Sequence, residues 1–103
     1  MAIDEQVELL KQGARAWNAW RMKQPEAAVD LSGAALRGLE LKEANLSDAD
    51  LREADLRGAD LRSSILAGAH LEGANLFKAM IDGADLTEAT LRGVQFLNCP
   101  QLE

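Results

Sequence analysis

Several residue types that often reveal a compartment are rare in this sequence. Its 103 residues include one cysteine, two prolines, one histidine and no tyrosine. Because Cys99 has no partner for an internal disulfide, we expect a free thiol in a reducing compartment and predict a cytoplasmic protein. No apolar run approaches the roughly eighteen residues of a membrane helix. Asp4, Glu5 and Glu8 interrupt the region where a secretion signal would have its apolar core, so neither export nor membrane insertion is predicted.

The dominant pattern in the sequence is a repeat of five residues. From residue 31 to residue 96, Leu, Ile or Phe recurs at every fifth position, fourteen times, and alanine precedes it by two residues in ten repeats. A period of five matches neither the period of about 3.6 of a helix nor the period of 2 of a strand. Two positions in each repeat are therefore predicted to face inward. The predicted core stack is Leu31, Leu36, Leu41, Leu46, Leu51, Leu56, Leu61, Leu66, Leu71, Leu76, Ile81, Leu86 and Leu91, with Phe96 in the same register.

These repeats resemble the pentapeptide-repeat family, whose motif A(D/N)LXX stands here as Ala49-Asp50-Leu51-Arg52-Glu53 and Ala59-Asp60-Leu61-Arg62-Ser63. The resemblance covers residues 29 to 98. It implies an all-β solenoid, a right-handed quadrilateral β-helix with four repeats to a coil and about three and a half coils. Residues twenty apart would then lie above one another. Turns at the corners suit the glycines of the array, because glycine adopts positive φ without a Cβ penalty.

The segment before the array follows a helical rule. Between residues 4 and 23, apolar residues recur at spacings of three and four, Asp4 is a plausible N-cap, and Pro25 marks the exit. We predict one helix that caps the open end of the solenoid, where backbone groups would otherwise lie unpaired. The lead-in also resembles segments that precede pentapeptide arrays in cyanobacterial proteins. The predicted organisation is a capping helix and linker over 1–28, the β-helix over 29–98 and a tail over 99–103.

The C-terminal end of the array allows two interpretations. Only seven residues follow Phe96, and they predict no second helix. Either the last coil is a surface for self-association, as C-terminal pairing in the family would imply, or the tail around Pro100 folds back over it. Phe77, Met80 and Leu97 are predicted to form an exposed apolar group near this end. Together with Phe96 they make the predicted interaction surface, with packing under the tail as the alternative.

The residues with the most varied chemistry fall in one predicted column, Asp30, Asp50, His70 and Thr90. A metal site needs three or four converging ligands, whereas side chains in a ladder point in parallel, so we predict a solvated ladder and no metal. The sequence has no Ser-His-Asp set, no Cys-His pair and no glycine-rich phosphate loop. A solenoid filled with leucine leaves no pocket, so we predict no enzyme, no cofactor and no small-molecule substrate.

Two functions remain. The first is a non-enzymatic scaffold or protein–protein interaction module with an unknown partner, including a homodimer through the C-terminal end. The second, offered by the resemblance, is an acidic DNA mimic that acts on a type II topoisomerase. The array carries twelve acidic and seven basic residues, a net charge of −5. B-DNA of the same length, about 17 Å, would carry on the order of ten phosphate charges, which favours the scaffold. The net charge of −6 also predicts no binding to nucleic acid.

Overall fold

The computed structural model describes residues 2 to 96, which form two short helices followed by a repetitive array. Helix α1 spans Asp4–Lys11 and helix α2 spans Ala14–Lys23. The molecule measures 36 × 25 × 24 Å along its principal axes. Within the described residues, neither the length nor the apolar content of any helix is sufficient to cross a membrane.

Parallel backbone pairing repeats every twenty residues along the array. Ten bridges join described residues twenty apart, and each bridging residue lies between the alanine position and the leucine position of its repeat. At the first bridge, the Leu31 N–H donates to the Asp50 carbonyl oxygen at 2.8 Å and the Asp50 N–H donates to the Val29 carbonyl oxygen at 2.9 Å. The bridges form four columns, so four repeats make one coil: Asp30–Asp50–His70–Thr90, Ala35–Asp55–Asn75–Gln95, Glu40–Asp60–Met80 and Asn45–Ile65–Asp85.

A tight turn in every repeat keeps each strand to a single bridge. In the first turn the Ala34 N–H donates to the Leu31 carbonyl oxygen at 3.1 Å. Gly33, immediately before Ala34, has a φ of 68°, and the other glycines of the array have similar values, as predicted. The same turn position also holds six residues that are not glycine, among them Glu53 with φ 59° and Lys78 with φ 62°. Each of these six carries a steric cost on the order of 1 kcal/mol that glycine avoids.

The centre of the array is a column of buried side chains. The central leucines from Leu31 to Leu71 are at most 1% exposed, and the adjacent alanines from Ala44 to Ala79 are similarly buried. Burial of each leucine contributes about 1.5–3 kcal/mol, which accounts for the strict recurrence of this residue. Ser64 occupies one alanine position at 1% exposure, and its hydroxyl has no hydrogen-bond partner.

Toward residue 96 the structure differs from the predicted core stack. Leu86 is only half-buried, and Leu91 is 36% exposed. Phe96, in the same register, is 38% exposed. In the described part of the chain no further coil lies over these positions, so side chains of the same type lose the cover that the earlier leucines have.

The predicted single helix is in fact two helices. Gly13, with a φ of 105°, separates α1 from α2. The N-cap of α1 is Ile3 and not Asp4, which is the first residue of the helix, and no side chain makes a capping hydrogen bond. The break reorients the chain so that Leu10 in α1 and Trp17 in α2 are both fully buried. Burial of these two side chains outweighs the backbone hydrogen bonds that one continuous helix would have kept.

Candidate interaction surfaces

The Gln6 side chain of α1 and the backbone of Ile3, just before α1, hydrogen-bond to the start of the first coil. The Gln6 side-chain Nε2–H donates to the Ala28 carbonyl oxygen at 2.8 Å, and the Gln6 Oε1 accepts from the Asp30 N–H at 2.8 Å. The Ile3 N–H donates to the Asp30 carbonyl oxygen at 2.9 Å. The backbone N–H and carbonyl oxygen of Asp30 are therefore both paired, by Gln6 and Ile3. In the later bridging residues of this column the same two backbone groups pair with the preceding coil, so Gln6 and Ile3 take the place of a coil before Asp30.

Helix α2 makes the equivalent contacts on the column of Asn45. The Trp17 indole Nε1–H donates to the Asn45 carbonyl oxygen at 2.8 Å, and the Asn45 N–H donates to the Asn18 Oδ1 at 2.7 Å. The Arg21 guanidinium donates to the Ser47 carbonyl oxygen at 3.0 Å, and partial burial lowers the pKa of Arg21. The Asn18 Nδ2–H also donates to the Glu43 carbonyl oxygen at 3.0 Å, and among the described residues neither helix hydrogen-bonds to the bridging residues Ala35 and Glu40.

Three aspartate–arginine pairs lie along the middle of the array, each within one repeat. The Arg52 Nε–H and Nη2–H donate to the two carboxylate oxygens of Asp50 at 2.8 and 2.7 Å, and the Arg52 backbone N–H donates to the Asp50 Oδ1 at 3.1 Å. The pairs Asp55–Arg57 and Asp60–Arg62 repeat this geometry. Hydrogen bonds from the arginines hold the pKa of each aspartate low, that of Asp55 at about 2.

These pairs form within a repeat and not between residues twenty apart. The Arg52 side chain binds Asp50 in its own repeat, and Glu72, twenty residues further along the chain, accepts from Thr90 at 2.6 Å. The Arg52 guanidinium pairs with the aspartate of its own repeat because the Arg52 backbone N–H also donates to the Asp50 carboxylate. This hydrogen bond positions the carboxylate beside the guanidinium.

The predicted column of Asp30, Asp50, His70 and Thr90 is present, and its carboxylates have partners. Asp30 accepts from Ser32, and Asp50 accepts from its arginine. The Thr90 Oγ1 lies 3.4 Å from the His70 Nδ1. Over residues 2–96, no group of three or more His, Cys, Asp or Glu side chains converges as a metal site would require.

Of the predicted C-terminal apolar group, the structure describes Phe77 and Met80. Phe77 is half-buried and lines a notch of about 170 Å³ with Arg37, Arg57, Gly58 and Lys78, whose Nζ lies 5.3 Å from the Phe77 ring centroid. The cations of this notch come from the same column of the array, one and two coils earlier, and from the next residue in the chain.

The other described members of the predicted surface are Met80 and Phe96. Met80 is 40% exposed and follows Asp60 in another column. Phe96 is 38% exposed in the register of the central leucines, beyond Leu91. Leu97 lies outside the described residues.

Two features that the sequence reading missed concern side chains between the regular positions. Ile65 is 41% exposed at a position that is Asp or Asn in half of the repeats. An apolar residue at this outward position could have been identified from the sequence as an exposed apolar side chain. Gln6 is a polar side chain at 7% exposure, and nothing in the periodicity of its helix marks it as buried. Its role depends on the position of the first coil.

Comparison with known proteins agrees with the repeat geometry. The family model described as "Pentapeptide repeats" matches residues 27–62 and 54–93, with eight copies. No curated protein sequence matches the chain.

Several solved structures are similar to parts of the chain. The pentapeptide repeat protein Rfr23 from the cyanobacterium Cyanothece 51142 is 42% identical over 65% of this chain and 49% of its own, with a TM-score of 0.48. A pentapeptide repeat protein from the thylakoid lumen of Arabidopsis thaliana is 31% identical over 63% and 56%, with a TM-score of 0.46. The protein alr5209 from Nostoc PCC 7120 is 32% identical over 80% and 74%, with a TM-score of 0.40.

The present chain spans about half the length of Rfr23. The family model, in contrast, matches well over half of the present chain, in the same residues that form the bridged coils. The chain belongs to the pentapeptide-repeat family, whose members form right-handed quadrilateral β-helices.

Proposed function

We propose that this protein is a non-enzymatic scaffold that binds a protein partner through the end of its array nearest residue 96. The observation that carries the proposal is the change in burial along one register. The central residue is fully buried at Leu31 and Leu51, but it is 36% exposed at Leu91 and 38% exposed at Phe96. An apolar side chain that a regular repeat would cover gains stability when a partner covers it instead.

The partner that we propose is a second copy of the chain. Leu91, Phe96 and the half-buried Val94 present an apolar surface at the end of the rod, and Gln95 supplies a backbone edge of the kind that coils pair with. An isologous contact at this end would bury the same residues of both copies. Met80 and Phe77, on two other columns, would lie at the border of such a contact.

The role of the two helices is part of the same proposal. We propose that α1 and α2 cap the other end, since Gln6, Asn18 and Trp17 satisfy backbone groups of the first coil. The proposed organisation is a cap and linker over residues 1–28, about three and a half coils over 29–98 and a tail over 99–103. Association is then directed to one end, in a protein that we place in the cytoplasm on the basis of its single cysteine.

DNA mimicry is the less favoured alternative. The array has a net charge of −5, but three of its aspartates are bound by arginines at 2.6–2.8 Å. These pairs interrupt the acidic surface that an imitation of the phosphate backbone needs. Inhibition of a type II topoisomerase at low micromolar protein would favour the mimic over the scaffold.

The solution mass tests the proposal. Light scattering on a sizing column, over a concentration series, should give a dimer for the unchanged chain and a monomer for the double variant Leu91→Ser, Phe96→Ser. Met22→Ser is the matched control, because Met22 is 83% exposed in α2, at the other end. It should remain a dimer. A monomer for the unchanged chain at every concentration, or a dimer that survives the double variant, would contradict the proposed contact.

A further inference from the structure

A concave surface lies on the two helices. It is a groove of about 590 Å³ that follows α1 from Ile3 to Gln12 and is closed on one side by Trp20 of α2. We refer to it as the N-terminal groove. Its apolar part consists of Ile3, which is 43% exposed, and the half-buried Leu9 and Trp20. These side chains remain accessible even though the opposite sides of both helices pack on the first coil.

The polar part of the N-terminal groove carries charge of one sign. Asp4, Glu5 and Glu8 line it, and no lysine or arginine does. Glu8 pairs with Lys11 at 3.6 Å, but both side chains are well exposed, and such pairs contribute little in water. Within residues 2–96, no cation lies within ion-pair distance of Asp4 or Glu5. The groove therefore combines an apolar floor with carboxylates that can form ion pairs with a positively charged ligand.

This combination selects the chemistry of a ligand. A ligand has to bring apolar side chains for Ile3, Leu9 and Trp20 and positive charge for the carboxylates beside them. Trp20 can also accept a lysine or arginine on its ring face, since tryptophan is the best aromatic partner for a cation. Anionic membrane lipids bring charge of the wrong sign, so a lipid surface does not fit.

The length of the groove indicates the form of the ligand. Helix α1 has eight residues, and at about 1.5 Å per residue it is about 12 Å long, which corresponds to about two helical turns of a partner. An amphipathic helix that lies in such a groove contacts it through residues at spacings of three and four. We propose that the N-terminal groove binds a basic amphipathic helix of another protein, with leucine-like side chains on Trp20, Leu9 and Ile3 and lysine or arginine beside Asp4, Glu5 and Glu8.

The inference rests on the proposed role as a protein-binding scaffold but uses a second surface, at the opposite end of the rod from Leu91 and Phe96. The two proposals fail separately. Solution mass reports on the C-terminal contact, whereas peptide binding reports on the groove. A scaffold with one surface at each end would connect a second copy of itself to a different partner.

The experiment uses the full chain and a synthetic fourteen-residue peptide with leucine at helical spacings of three and four and lysine elsewhere. Binding is followed by the NMR signals of the two tryptophan indoles. Trp17 is fully buried and bonded to Asn45, whereas Trp20 lies in the groove. We expect the Trp20 signal to shift on addition of peptide, the Trp17 signal to move less, and the affinity to fall as salt rises.

The triple variant Asp4→Asn, Glu5→Gln, Glu8→Gln tests the charge, and Glu26→Gln, Glu40→Gln, Glu88→Gln is the control with the same change in net charge outside the groove. We expect the first to bind about tenfold more weakly and the second to bind within about twofold of the unchanged chain. Circular dichroism checks that both remain folded.

Any of the following peptide results would overturn the inference: no binding at millimolar peptide, equal binding of a peptide with glutamate in place of lysine, equal binding of a peptide with scrambled leucines, or unchanged affinity in the groove variant. Binding of the unchanged chain to anionic vesicles with loss of the Trp20 shift would also overturn it, since that result would indicate a lipid ligand.

Discussion

The two ends of the array are built from the same repeat and have different surroundings. At the end near residue 30, two helices satisfy backbone groups of the first coil with Gln6, Asn18 and Trp17, and Leu31 is fully buried. Toward residue 96, Leu91 occupies the same position in its repeat and is 36% exposed. The burial of a residue in a solenoid therefore depends on the coils or caps above and below that residue, and its position within the repeat does not determine its burial alone.

The largest expected effect compares two leucines of the same register. Leu56→Asp should unfold the array, a loss of at least about 4 kcal/mol, because it places an unpaired charge in a fully buried stack. In the monomer, Leu91→Asp should cost about 1 kcal/mol or less, since Leu91 is 36% exposed in the single chain and water can reach the new carboxylate. Urea unfolding followed by circular dichroism, at a protein concentration at which the chain is monomeric, measures both. Similar losses for the two variants would show that the ends do not differ as described.

The second prediction breaks the contact between α1 and the first coil. Gln6→Leu keeps the apolar packing of the side chain but removes the donor to Ala28 and the acceptor for Asp30. We expect a loss of about 1–3 kcal/mol, because buried backbone groups are left without partners. Gln12→Leu, on an exposed residue of the loop after α1, is the control and should change the unfolding free energy little. If the Gln6 variant were as stable as the control, water would be satisfying the first coil equally well.

A stabilising change is expected at an interior position between the ends. Ser64→Ala removes a hydroxyl that is buried without a partner and restores the alanine found at ten of the fourteen equivalent positions. We expect a gain of about 1 kcal/mol in the free energy of unfolding. Ser63→Ala, at the exposed neighbouring residue, is the control. A loss of stability in the Ser64 variant would indicate a hydrogen bond or a bound water at that site.

The smallest effect concerns pH. The arginine partners lower the pKa values of Asp50, Asp55 and Asp60 in the folded protein, that of Asp55 to about 2. These groups therefore stabilise the fold above the ordinary aspartate pKa of about 4, and their contribution is lost as pH falls from about 4 through 2. The pairs are partly exposed, so the fall in urea midpoint should be small. In the variant Asp55→Asn the fall in urea midpoint between about pH 4 and pH 2 should be smaller than in the unchanged chain. The same fall in both proteins would show that Asp55 does not contribute to the pH dependence.

The sequence predicted the repeat more reliably than the ends. Inward positions are visible because burial recurs every five residues, and each leucine from residue 31 to residue 71 reports the same local environment. The twenty-residue register followed from the resemblance to the family and not from the period of five. Positive φ at the glycine corners was predictable from the residue type, whereas the same conformation at Glu53 and Lys78 was not, because the repeat imposes it on residues that do not favour it.

Other features required the three-dimensional arrangement. Gly13 was one residue in a continuous helical pattern, and only the simultaneous burial of Leu10 and Trp17 against the first coil explains the break. Arg52 had several acids within reach, and the backbone hydrogen bond to Asp50 decided among them. The sequence did not indicate that Phe77 would line a notch together with Arg37, Arg57 and Lys78.

The sequence by itself determined the period, the inward positions and the helical character of the leading segment, because each depends on residues close together in the chain. Tertiary structure decided which polar side chains complete the first coil, which leucines lose their cover and where a groove with an acidic rim opens beside Trp20. The first two features depend on contacts between residues twenty or more positions apart, and the groove depends on how α1 and α2 are placed on either side of Gly13. The energies of alternative partners differ too little for spacing alone to choose between them.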